Sequence, residues 1–203
     1  MRGSPLPAGD QKLIQIVDAA LADATRRSGP WLVCHPGCTQ CCVGVFAISQ
    51  LDAARLKGGL LQLQGKDPAR AAAVRTRAQT SVSRLEKAFP GNSRTGVLAE
   101  DDTSEARFED FANDEICPVL DPSTGLCDLY ESRPLTCRTF GPPVQSEDGL
   151  GVCELCYHGA SDEQIAACEM EVDPYALEGK LLKQVEAKTG VRGQTIIAFA
   201  LRD

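Results

Sequence analysis

Four of the chain's ten cysteines fall within nine residues, CHPGCTQCC at 34–42, and nothing else in the sequence restricts the fold as strongly. Thiols packed this closely have four outlets: disulfides, a metal, a redox dithiol or a buried apolar cluster. With 203 residues and 43% apolar content the chain can bury a core of its own, so it does not need disulfide staples to fold. The N-terminal stretch MRGSPLPAGDQKLIQ has one Arg but no apolar run suited to a secretory signal. No apolar run approaches the ~20 residues that cross a bilayer. The expected setting is cytoplasmic, away from any membrane, where thiols stay reduced and clustered cysteines serve metals more often than disulfides. The net charge of -7 repels phosphate backbones, so nucleic acid is not an expected partner.

The remaining cysteines are Cys117, Cys127, Cys137, Cys153, Cys156 and Cys168. Cys38 to Cys41 and Cys153 to Cys156 are C-x-x-C steps, which let one tight turn aim two sulfurs at one point. Cys34 stands one residue outside that step. Cys41 and Cys42 are adjacent and, read as extended chain, point to opposite sides, favouring a polynuclear centre or a pair of sites over one closed zinc knuckle. The second block, CPVLDPSTGLCDLYESRPLTCRTF, spaces Cys117, Cys127 and Cys137 evenly among turn-forming residues. Seven thiols in the two blocks exceed one tetrahedral site, and thiolate-only coordination suits zinc, copper(I) or iron-sulfur clusters rather than magnesium or calcium. Arg133 and Arg138 could offset thiolate charge or serve salt bridges.

Helical spacing of apolar residues runs from Asp10 to Ser28, stopped by Gly29-Pro30. Ser49 and Asp52 cap a second helix to about Gln64, and Asp67-Pro68 opens a third that lasts to Pro90-Gly91. Arg70, Arg75, Arg77 and Arg84 on that third helix read as a solvated face. Residues 91–110 read as an acidic loop, and VGVFAI after Cys42 as a short extended segment. Ser161 and Gln164 have capping-box spacing for a helix including Cys168, and Asp173-Pro174 opens another that ends at Gly190. The expected fold is mainly α with little β, its helices packed around an irregular cysteine-rich metal-binding centre. It forms a single domain over 1–203, with a cysteine core at about 31–158, the acidic loop at about 91–110 and C-terminal helices at about 161–203.

The pairing of CHPGCTQCC with C-P-x-L-D and G-x-C-x-x-Y-E-x-R-P-x-x-C-R resembles the YkgJ-type cysteine-cluster family, the CxxCxxCC family, whose domain is described as zinc- or iron-chelating. The resemblance covers about residues 31–158. It implies Cys38, Cys41, Cys42, Cys117, Cys127 and Cys137 as ligands, with Cys34 in the first motif position. Three residues instead of two separate Cys34 from Cys38, a departure from the family's spacing. A similar cysteine-rich segment occurs in flagellin lysine methylases, in association with an iron-sulfur cluster. This chain has no glycine-rich nucleotide fingerprint, so that activity does not carry over.

The expected function is metal binding through thiolates, with an iron-sulfur cluster (4Fe-4S favoured) ahead of zinc. One alternative is an enzyme using the centre for redox chemistry or protein modification. Another is a structural zinc module facing a protein partner. His35 and His158, the only histidines, read as hydrogen-bonded or solvent-facing, and Cys168 as a buried apolar group. Cys153 and Cys156 stay between ligand and redox dithiol.

Overall fold

Local stop and start signals set most of the helix boundaries in the computed structural model, which describes residues 6–146 and 149–202. The first five residues, part of the segment weighed above as a signal, lie outside it. Helix α1, Asp10–Ser28, buries Leu13, Val17 and Ala24 along one stripe and ends where Gly29 turns to φ 50°. Pro30 follows in a short 3-10 turn, Gly29–Trp31. Helix α2, Gln50–Lys66, starts on the Ser49 hydroxyl, which accepts the Asp52 N–H at 3.2 Å. Helix α3, Pro68–Leu85, starts on the Asp67 carboxylate, which accepts the Arg70 N–H at 3.0 Å.

The stretch read as an acidic loop is structured. Strands β1, Gly91–Asn92, and β2, Val97–Leu98, pair in a hairpin, and helix α4, Asp102–Glu109, follows. Its cap is Asp101, accepting the Ser104 N–H at 3.1 Å, so part of the acidic content is a helix start. Strands β3, Leu120–Asp121, and β4, Leu126–Cys127, form a second hairpin, followed by a 3-10 turn at Tyr130–Ser132 and helix α5, Leu135–Thr139. Strands β5, Val144–Ser146, and β6, Gly149–Gly151, form a third. Helix α6, Asp162–Ala166, has the complete Ser161/Gln164 capping box but stops before Cys168. Helix α7, Leu177–Thr189, ends at Gly190 in the left-handed region, and helix α8, Ile197–Leu201, is the apolar tail. Mainly α with little β therefore describes the fold.

Three large apolar clusters and a smaller one, of Cys156, Tyr157 and Cys168, hold these elements. Leu56 and Leu60 of α2, Val74 and Ala78 of α3, and Ile197 and Leu201 of α8 form one, which also takes in Val119 and Leu129 from the second cysteine block. Leu13 and Val17 of α1 meet Leu51, Leu135, Leu181 and Val185 in the second. Phe89, Phe111 and Phe199 anchor the third, Phe89 stacking on Phe199 with centroids 4.3 Å apart. Cys117, Cys127 and Cys137 pack against the first cluster, so the helical core directly backs the second cysteine block. Among the described residues no helix is long and apolar enough to cross a membrane.

Candidate metal centre

Cys41 and Cys42 lie in a 3-10 turn, Gln40–Cys42, not in extended chain. With about three residues per turn, neighbouring side chains diverge by about a third of a circle rather than half, and the two thiols come within hydrogen-bonding reach of each other. The opposite-sides expectation is corrected on that ground. The chain leaves the turn by pairing with the second block: Cys117 donates its N–H to the Cys42 carbonyl at 2.8 Å, and Gly44 donates to the Glu115 carbonyl at 2.9 Å. Apart from this bridge at Val43–Ile116 and a second at Ile48–Thr195, the VGVFAI segment makes no strand among the described residues.

Cys117 then closes a turn, its carbonyl accepting the Leu120 N–H at 3.0 Å. Cys127 pairs opposite Leu120 in the second hairpin, whose turn is set by the Asp121 carboxylate accepting the Ser123 N–H at 2.9 Å and by Gly125 at φ 69°. Cys137 sits on α5. The outcome is one neighbourhood: Cys42 lies in the field of Cys41, Cys117 and Cys127, and Cys137 in that of Cys117, Cys41 and Cys127.

The electrostatics of this group are uneven. Cys42 donates to Cys41, which with a backbone N–H and the Arg133 guanidinium pulls Cys41 down to about 6, well below an ordinary thiol. Cys42 itself is pushed up by that same bond, by burial and by its thiol neighbours. Burial pushes Cys117 up to about 12 and raises Cys127 and Cys137, with neighbouring thiols adding to the rise. Arg133 lowers Cys127 as well as Cys41, and its guanidinium lies 3.9 Å from the Tyr130 ring centroid. Arg138 instead spends its donors on Asp18 at 2.6 Å and the Glu131 carbonyl at 2.6 Å, fastening α5 to α1.

The arginines of α3 are not a simply solvated face. Arg70 and Arg77 both donate to Asp128, whose side chain is 1% exposed, and Arg77 also holds the Pro118 carbonyl at 2.8 Å. Arg84 pairs with Glu115, and Arg75 reaches Gln64 at 2.7 Å. Two of the four therefore clamp the second cysteine block onto the core, and Arg84 holds Glu115 just ahead of it. Arg70 and Arg77 lie seven positions apart, on one side of the helix, and both reach Asp128, the residue after Cys127.

The seven thiols expected as ligands fall into two groups. Cys34 and Cys38 are gathered with Cys153 and Cys156, not with the five above. His35 is exposed and its Nδ1 contacts the Pro36 carbonyl at 2.9 Å; His158 is exposed. Cys168 is buried beside Cys156 and Tyr157.

Among the described residues no three Cys, His, Asp or Glu side chains already converge as the shell of an ion. The donors themselves fit a thiophilic metal: thiols from separate segments are brought together where a cation would relieve their mutual repulsion once ionised. A family model described as "Putative zinc- or iron-chelating domain" matches residues 33–157, well over half of the chain. The chain belongs to the CxxCxxCC family. The CxxCxxCC domain takes in every cysteine from Cys34 to Cys156 and leaves out Cys168. No curated protein and no solved structure compared with the chain matches it.

Proposed function

We propose that this CxxCxxCC domain holds an iron-sulfur cluster, of the 4Fe-4S kind, on thiolates drawn from Cys41, Cys42, Cys117, Cys127 and Cys137. The observation that carries the reading is the meeting of these five thiols, from the Cys41-Cys42 turn, the Cys117 turn, the second hairpin and α5, against the Arg133 guanidinium. A single zinc needs its four donors around one small ion, whereas a 4Fe-4S cluster spreads its four thiolates over separate irons. When bound, the cluster would supply a one-electron redox centre. The residues' part is to supply thiolates, to offset charge through Arg133 and to keep the block seated through Asp128 and α3.

A structural zinc centre facing a protein partner is the second reading, and one observation favours it: Val43, Ile116 and Tyr130, beside the cysteines, are at least half exposed. Iron, zinc and acid-labile sulfide content, with a visible spectrum, on protein purified without oxygen separates the two. About four iron and four sulfide per chain is the expected result. Zinc without iron or sulfide would overturn it in favour of the scaffold.

A further inference from the structure

Cys153 and Cys156 close a turn of their own, the Cys156 N–H donating to the Cys153 carbonyl at 2.9 Å. The first motif makes the matching turn one residue late: Cys38 donates its N–H to His35, not Cys34, at 3.0 Å, with Gly37 at φ 89° inside it. The additional residue between Cys34 and Cys38 is thereby absorbed before the turn, and Cys34 still lies in the field of Cys38. Two ties bring the turns together. Tyr157 donates its N–H to the Trp31 carbonyl at 2.9 Å, and Gln40 donates to the Glu154 carboxylate.

The sulfurs follow. Cys34 and Cys153 each lie within hydrogen-bonding reach of Cys156, and both lie in the field of Cys38. Cys34 Sγ also rests against the backbone at Gly141, where an added Cβ would come within 2.9 Å of it. Trp31, Leu32 and Ile165 pack around the Cys153 to Cys156 turn and form its apolar floor.

We propose that Cys34, Cys38, Cys153 and Cys156 form a second tetrathiolate site, separate from the five-thiol group, that takes one zinc ion. Two pairs of cysteines, each on a tight turn, supply the four donors of a closed tetrahedral site. The ion would lock the first motif to the 153–157 turn and so fix the entry to the Cys41-Cys42 turn. The proposal rests on the cluster reading only for where the second metal sits; the zinc site is defined by its own four thiols.

The test compares metal and sulfide content in the anaerobic full-length protein, its Cys153→Ser/Cys156→Ser variant and its Cys117→Ser/Cys137→Ser variant. The first variant should lose about one zinc per chain with iron, sulfide and visible absorbance unchanged, and the second should do the reverse. Should the variants fail to fold, stepwise chelation of the wild type with alkylation mapped by mass spectrometry takes their place. Cys34, Cys38, Cys153 and Cys156 should then become reactive as a set, apart from the other five. The proposal falls if the 153/156 variant keeps its zinc, if iron and sulfide leave with the zinc, or if all nine thiols open in one step. It also falls, with the cluster reading intact, if the wild type holds iron and sulfide but no zinc. A wild type with about two zinc and no sulfide would remove the cluster reading alone, provided the 153/156 variant still loses one of the two.

Discussion

Asp52 Oδ1 accepts the backbone N–H of Leu135 at 3.0 Å, so a carboxylate on α2 sets the first residue of the short helix that carries Cys137. Arg55 donates to the same carboxylate and to Asp10 at 2.7 Å, with both its partners and itself buried. This is how a five-residue helix, too short to persist alone, holds its thiol in register.

Asp52→Ala should cost about 3 kcal/mol, because it strands the Leu135 N–H and leaves Arg55 short of a partner in a buried place. Urea unfolding should show the loss, and metal content should drop with it since Cys137 loses its anchor. Unchanged stability with unchanged metal would show that α5 is held by its Asp18–Arg138 pair instead.

Asp128 should matter more than any charge on the outside of α3. Its side chain is 1% exposed and takes both Arg70 and Arg77, but those arginines are 43% and 26% exposed and water takes up part of the loss, so Asp128→Ala should cost about 2 kcal/mol. The Arg84 side chain is 55% exposed, and Arg84→Ala should stay within about 1 kcal/mol. Equal effects in thermal unfolding would remove the clamp from the account.

Gly59 lies where α2 passes the Tyr130–Ser132 turn, and an added Cβ would sit 2.3 Å from Ser132 Oγ and 2.5 Å from its Cβ. Alanine ordinarily favours a helix over glycine. Here the crowding should win: Gly59→Ala should destabilise by about 2 kcal/mol, and Ser132→Gly in the same chain should recover most of it. A stabilising Gly59→Ala would mean that the turn moves freely.

Much of the helical frame is legible in the residues because its signals are local. Asp10 to Ser28, the Asp67-Pro68 start and the Ser161/Gln164 box each act within a few positions, and each is present as read. Asp173 is a subtler case: it accepts the Glu178 N–H at 2.7 Å, but from a turn ahead of α7, which begins at Leu177. The site is less legible. Local pattern does not reveal that Arg70 and Arg77 belong to Asp128, or that the turn at Cys153 belongs to the motif at Cys34, because those contacts join segments far apart in the chain. The Cys41-Cys42 pair escaped for a different reason: the directions of two adjacent side chains depend on whether the backbone is extended or a 3-10 turn, and QCC itself favours neither.

Glu178 should give a pH signature. Burial raises its carboxyl above the ordinary glutamate range, with Asp52 and Asp173 adding to the rise and Arg55 and the Ser49 hydroxyl opposing it. The folded chain therefore holds this proton more tightly than the unfolded one. Its contribution to stability is full below the ordinary glutamate range and is lost as pH rises through the raised folded value. At pH 7 the ionised group is a net cost, so Glu178→Gln should be more stable than wild type by less than about 1 kcal/mol. That lead should shrink on acidification. Both chains release metal in acid alike, so the difference between them at each pH isolates this group. A lead that grows as pH falls would contradict the assignment.

Cys41 and Cys168 make the sharpest contrast among the thiols. Cys41 meets Cys42 in the turn and takes the Arg133 field, whereas Cys168 is 5% exposed, packs with Cys156 and Tyr157, and lies outside the matched domain. Cys41→Ser should lower bound iron and sulfide and destabilise the protein, because ligands brought together without their metal lose the binding energy that folding draws on. Cys137→Ser should do the same. Cys168→Ser replaces a buried thiol with a smaller, more polar hydroxyl that still has the Tyr157 hydroxyl within hydrogen-bonding reach, so it should cost about 1 kcal/mol while leaving metal and visible spectrum intact. If metal content fell only in the Cys168 variant, the ligand set would have to be redrawn around Cys168, with Tyr157 and Cys156 as its neighbours.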